Sequence, residues 1–144
     1  MAEELQTLGS IFRAPMEALM AYSYGRLEGL GFDSLRPAHS ALFRNIERDG
    51  SRISDLAARA GMTKQSMAEL VRYLETHGYV AVGPDPDDGR AKRVTLTKRG
   101  HDVVLTLTKL SRAFEKECEK AMGEKGWAQY RRLAEKLRDV TKEM

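Results

Sequence analysis

A mostly α-helical fold carrying one small β-hairpin is what this sequence predicts, and three observations carry the expectation. The chain has 144 residues, the length of one ordinary domain. Apolar side chains recur at helical spacing through most of it. Two short β-favouring runs, Tyr79–Val82 and Lys92–Leu96, flank the turn sequence from Gly83 to Gly89, which is built of Gly, Pro and Asp.

Each element has its own signature. Ile11, Phe12, Met16, Leu19, Met20, Tyr22 and Leu27 predict a first helix over about 10–29, with Pro15 in a first turn or at a kink, closed by Gly29 and Gly31. A second helix is expected from Arg36-Pro37, with Leu42, Phe43 and Ile46 inward and its end at Asp49-Gly50. Ser51-Arg52-Ile53 reads as a short extended piece. Ser54 is then expected to cap a brief helix over 55–60, with Asp55 in its first turn. Gly61 breaks that helix, and Thr63 suits the N-cap of the next, from Lys64 to about His77. In that helix Met67, Leu70, Val71 and Leu74 form one apolar stripe. After the hairpin, two longer helices are expected. The first runs from about 98 to 122, with Val103, Val104, Leu107, Leu110, Phe114 and Cys118 on one side. The second runs from Trp127 to about Lys142, with Gly123 and Gly126 between them.

Composition excludes several classes of function. Hydrophobic residues make up 42% and charged residues 31%, and the charges interrupt every apolar stretch before it reaches membrane-spanning length. The acidic start, Met1-Ala2-Glu3-Glu4, lacks the layout of a secretory signal. The lone cysteine, Cys118, has no disulfide partner within the chain and belongs to no Cys-x-x-Cys pair, so a reducing, cytoplasmic setting is expected. On its apolar stripe it reads as a small hydrophobe rather than a redox sensor. His39, His77 and His101 are scattered, and neither a metal site nor a cofactor is implied. Neither a Gly-x-Ser-x-Gly elbow nor a Gly-x-x-x-x-Gly-Lys loop occurs, so no enzyme is expected.

The charge is informative by position. The net balance is only +3, yet between Gly89 and Gly100 stand Arg90, Lys92, Arg93, Lys98 and Arg99 with no acid among them. A locally basic segment suits a polyanionic partner. A short helix, a glycine turn, a helix with a polar outer face and then a hairpin is the order of a winged helix-turn-helix. In that geometry the outer face of the second helix enters a major groove of double-stranded DNA. Thr63, Lys64, Gln65, Ser66, Glu69 and Arg72 are then the candidate contacts, and Arg90, Lys92 and Arg93 those of the wing. Glu69 would repel phosphate. It either accepts a cytosine amino proton or braces Arg72 or Lys64. The alternative is a winged helix used as a protein-interaction module without an operator.

The same residues resemble the MarR family of bacterial transcription regulators. The resemblance runs through Arg36-Pro37-Ala38-His39, Ile53-Ser54-Asp55-Leu56-Ala57, Thr63-Lys64-Gln65-Ser66 and Leu74-Glu75-Thr76-His77-Gly78-Tyr79-Val80. It is strongest over Asp85 to Thr97, followed by Gly100, which is similar to that family's wing pattern of Asp-Pro, Asp-x-Arg and Leu-Thr-x-x-Gly. It implies a homodimer on an inverted-repeat operator, with Arg90 as the wing-tip arginine in a minor groove and Asp88 shaping the wing. Gly89 departs from the pattern, since an arginine often stands there. The expected organisation is one structural domain in which residues 1–34 and 98–144 form a helical dimerisation region and residues 35–97 the DNA-binding region. Trp127, Tyr130, Leu137, Val103, Leu107 and Leu110 are the apolar groups expected to need a partner chain's cover. Function is expected to be that of a repressor. Arg13, Met16, Met20, His39 and Phe43 form a candidate effector pocket for a small phenolic compound or aromatic acid, with packing of the dimer as the alternative reading of those residues.

Overall fold

The computed structural model describes residues 7–144, so the acidic stretch Met1–Glu4 lies outside the described residues. The elements are α1 (Leu8–Tyr24), α2 (Ser40–Phe43), β1 (Ser51–Arg52), α3 (Ile53–Ala60), α4 (Lys64–Thr76), β2 (Val80–Pro84), β3 (Lys92–Leu96), α5 (Lys98–Met122) and α6 (Glu124–Lys142). The three strands form one antiparallel sheet in the order β1-β3-β2, with Val82 and Ser51 both opposite Val94. The long helices pack on each other, α1 on α5 and α5 on α6. Among the described residues, no helix is long and apolar enough to cross a membrane.

The core forms where α2, α3, α4 and the sheet meet the start of α5. Leu42, Leu56, Met67, Leu74, Tyr79, Val94 and Val103 are fully buried there, each large apolar side chain contributing on the order of 1.5–3 kcal/mol of burial. The α3–α4 corner is set by backbone chemistry. Gly61 takes φ +64°, and Met62 N–H donates to Ala57 O (2.9 Å), the 6→1 closure that a left-handed residue allows. Thr63 Oγ1 then accepts from Ser66 N–H (3.1 Å), capping α4.

Several boundaries differ from expectation. The first helix stops at Tyr24 rather than 29. Its periodicity continues to the buried Leu27, but through a 3₁₀ turn at Glu28–Leu30 closed by Phe32 N–H on Leu27 O (2.9 Å). Pro15 lies inside α1. The second helix is one 3₁₀ turn (Pro37–His39) and the four residues of α2. It ends well before Asp49 because the Asn45 side chain takes Ala41 O (2.7 Å) and Glu47 N–H turns to the Ser51 hydroxyl (3.0 Å). Ser54 does not cap α3; Arg52 holds the N-cap position without a side-chain capping bond, and Ser54 is inside the helix. Gly126 falls within α6, and Gly123 alone makes the break, at φ +78°. Val103, expected on the face needing a partner, is buried within the chain, and Trp127, Leu137, Leu107 and Leu110 are half-buried.

Candidate nucleic-acid interface

The outer face of α4 presents Lys64, Gln65, Ser66, Glu69 and Arg72 to solvent, because the opposite face carries the buried Met67, Val71 and Leu74. The Ser66 hydroxyl also accepts from Thr63 Oγ1 (2.8 Å), so both hydroxyls at the helix start are oriented before any partner arrives.

The wing is organised around Asp85, which is 2% exposed. Its Oδ2 accepts from Arg52 Nε (2.9 Å) and Arg93 Nε (3.3 Å), and its Oδ1 from the backbone N–H groups of Asp87 (2.8 Å) and Asp88 (3.2 Å). The bond from Arg52, with the backbone donors and Arg93 behind it, holds this carboxyl well below the usual carboxylate range. One side chain thus ties β1 to β3 and folds the turn over itself. Asp88 Oδ1 accepts from Arg90 N–H (3.0 Å), closing the next step of the turn.

That network divides the basic residues. Arg93 is turned inward. It pairs with Asp85 and with Asp87 (3.7 Å) and donates to Asp49 O (3.2 Å), so it belongs to the base of the wing rather than to the exposed contact face expected of it. Arg72, Arg90 and Lys92 are exposed, form no ion pair among the described residues, and line one groove of about 640 Å³ between α4 and the wing. Lys64 is likewise exposed and outside any ion pair of the described residues. Sequence reasoning missed Arg52 and the central place of Asp85. The Asp-Pro-Asp-Asp run signalled a turn, but nothing local marks an arginine 33 positions earlier as its partner.

The proposed effector residues do not all meet. Met16, Met20 and Phe43 line a cleft of about 430 Å³ between α1, α2 and α5, together with Leu19, Tyr24, Val104 and Leu107. Arg13 is outside it, in a solvent-exposed pair with Glu17 (3.8 Å). His39 is also outside. Its Nδ1 accepts from Arg36 N–H (2.9 Å) and its ring stacks on Tyr73 at 4.8 Å. The cations of the cleft are Arg44 and Arg112. Ser23, 4% exposed, lines the same cleft, and its Oγ has no hydrogen-bond partner among the described residues. Burial pushes the Tyr24 hydroxyl up to about 12, against the pull of Arg44, so it is a neutral donor there.

Comparison with known proteins agrees with this geometry. The MarR family model matches residues 34–91, from the segment before α2 to the wing tip. The transcriptional activatory protein BadR of Rhodopseudomonas palustris is 38% identical over 63 residues. That match is 44% of this chain and 36% of BadR, so it spans about a third of the relative's length. Wild-type apo MarR of E. coli superposes with a TM-score of 0.76 at 18% identity, over 92% of this chain and 97% of that one. MepR of S. aureus, in a structure with DNA, gives 0.70 at 21% identity, over 96% and 98%. At such identities the two structures show a shared fold. The helix-turn-helix and wing are thus similar to the MarR family model, and over nearly its whole length the chain has the MarR-like fold, mostly helical with a small three-stranded antiparallel wing.

Proposed function

We propose that this chain is a homodimeric repressor that reads a pseudo-palindromic operator and is released by a small aromatic acid. One observation carries the DNA reading: Arg72 on α4 and Arg90 and Lys92 on the wing line one groove, with no anionic partner of their own among the described residues. A DNA backbone passing between a major-groove helix and a minor-groove wing meets that groove, and its phosphates supply the missing charge. That MepR, which shares the fold, has been seen with DNA supports the reading.

In this reading, residues 1–34 and 98–144 form the dimer base and residues 35–97 the reading head. Leu8, Ile11, Phe12 and Met16 on α1 and Met122, Tyr130, Leu133 and Val140 at α5 and α6 are large apolar groups left about half exposed, which supports a second copy covering them. Lys64, Gln65, Ser66, Glu69 and Arg72 face the major groove, with Thr63 capping their helix. Arg90 and Lys92 reach the backbone or the minor groove, positioned by Asp88 and Asp85. Inducer release is supported by the cleft at the junction of base and head. It has apolar walls, two arginines in its lining and a buried Ser23 hydroxyl with no hydrogen-bond partner among the described residues. A carboxylate on an aromatic ring satisfies all three. Any ligand that prefers a dimer with the wrong spacing of its reading heads lowers operator affinity by its ratio of affinities for the two states.

The test is selection of duplexes from a random pool, followed by sedimentation of the protein alone and on the selected DNA. The expected result is a dimer of chains on an inverted repeat whose half-sites lie roughly 34–36 Å apart. A monomer at micromolar concentration or an asymmetric consensus contradicts the proposal, and enrichment of nothing favours the protein-interaction alternative. A panel of aromatic acids and neutral phenols, titrated against the selected duplex at fixed ionic strength, tests release. Loss of response in Arg112→Ala, with folding intact, is the expected result. The word activatory in the name of BadR favours a second reading of the sign of control, which a reporter with the operator placed on either side of a promoter decides.

A further inference from the structure

We propose that Glu75 is a positioning residue for DNA reading: its carboxylate ties the recognition helix α4 to the free edge of the wing and so sets where Arg90 meets the duplex. The proposal rests on the DNA-reading function argued above.

The ladder between β2 and β3 shows why the tie exists. Thr97 N–H donates to Tyr79 O (3.1 Å) and Asp85 N–H to Ala91 O (2.9 Å), which places the hydrogen-bonded rungs at odd positions of this strand. By the alternation of an antiparallel pair, Val80, Val82 and Pro84 turn their main-chain groups away from β3. In the order β1-β3-β2 that side is an open sheet edge, a row of donors that folded proteins cover or remove. At Pro84 no donor exists. At Val82 the donor is taken by Glu75 Oε2 at 3.1 Å, so a side chain of the recognition helix stands where another strand would pair.

Electrostatics makes the choice of Glu informative. Glu75 lines the same groove as Arg72, Arg90 and Lys92, where an anion opposes the approach of phosphate. Among the described residues, the bond to Val82 is the one hydrogen bond the Glu75 carboxylate makes. On its far edge the wing is held by β1 and by Asp85 to Arg52. Glu75 supplies the hold on the near edge, the one facing DNA. With both edges tied, the separation of Arg90 from the outer face of α4 is set before binding.

Glu75→Gln and Glu75→Ala carry the same charge, and only the first keeps an acceptor for Val82 N–H. Their affinities are compared by anisotropy on a duplex enriched by the wild-type protein from a random pool, with unfolding midpoints measured alongside. Gln is expected to bind at least as tightly as wild type, since a negative charge has left the groove. Ala is expected to bind about three- to tenfold more weakly than Gln, the factor one net hydrogen bond supplies. In an Arg90→Ala background the difference between Gln and Ala is expected to close, because Glu75 acts through the wing. Equal affinities of folded Gln and Ala variants, or a difference that persists without Arg90, overturn the proposal while the DNA reading stands. Absence of any duplex binding by wild type overturns the DNA reading itself. Should the Ala variant fail to fold, Val82→Pro removes the same bond from the donor side, and unchanged affinity there overturns the proposal equally.

Discussion

Two glycines in helices, Gly100 and Gly126, are expected to answer the same substitution with opposite signs. Gly100 lies in the first turn of α5, where its N–H donates to the N-cap Thr97 Oγ1 (3.1 Å). A Cβ there would overlap Tyr79 O and press on Leu96 Cδ2 at 3.1 Å. The overlap with the carbonyl oxygen lies far inside an ordinary C···O contact of about 3.3–3.6 Å. The obstruction is backbone, and the Tyr79 carbonyl is held in place by Thr97 N–H while the Tyr79 hydroxyl donates to Asp33 O (2.6 Å). Gly100→Ala therefore forces α5 off the start of β2. Overpacking costs about 1–3 kcal/mol, and the strained Thr97–Tyr79 bond about 1 more. Replacing glycine in a helix returns about 1 kcal/mol. The net expectation is a loss of about 2 kcal/mol. At Gly126, in α6, the added Cβ meets only Met122 Cβ at 3.8 Å, an ordinary contact. Gly126→Ala keeps the propensity gain and is expected to be stabilising by up to about 1 kcal/mol. Urea unfolding at one fixed protein concentration reads both, since association makes midpoints concentration-dependent. A Gly100→Ala protein as stable as wild type, or a Gly126→Ala protein destabilised like it, refutes the packing argument.

Two further outcomes follow from local chemistry. Thr63→Ala strips the cap from Ser66 N–H and is expected to cost about 1 kcal/mol in urea unfolding, with Thr63→Ser restoring most of it. His39 has its imidazole pKa lowered, first by burial and then by the charges of Arg36 and His77. The unfolded chain then binds a proton that the native state resists, so stability is full above the ordinary histidine pKa of about 6.5 and falls as pH drops below it. Midpoints measured on either side of that value should show the fall. In His39→Gln, which keeps an acceptor for Arg36 N–H, the fall should be shallower.

What the sequence showed and what it hid separate by distance along the chain. Thr63, Gly61 and Gly78 act on neighbours three to six residues away, so the α3–α4 corner and the end of α4 could be read from spacing alone. The outer face of α4 was legible for the same reason, since Met67, Val71 and Leu74 define it by subtraction. The wing's turn was legible as a turn, but its architecture was not. Asp85 depends on Arg52, and Arg93 on Asp85 and on Asp49 O, across separations that no periodicity records. A basic residue in a basic run reads as solvent-facing until the buried carboxylate opposite it is known. Spacing alone overextends the second helix, because Ile46 continues an apolar pattern that Asn45 and Ser51 interrupt with side-chain bonds to the backbone. Their positions on helices direct His39 and Arg13 to the cleft, whereas the stack on Tyr73 and the pairing with Glu17 turn them elsewhere.

The central claim is that the α4 and wing cations meet phosphate, and the salt dependence of duplex binding tests it most directly. Affinity of the wild-type protein for its selected duplex should fall linearly in log–log form with salt. Arg90→Ala should reduce the slope by about 0.9 for each phosphate contact it removes, twice that if both protomers contribute, while a change at Lys109, outside the groove, leaves the slope as it was. A salt-independent affinity, or equal slopes for wild type and Arg90→Ala, contradicts the account.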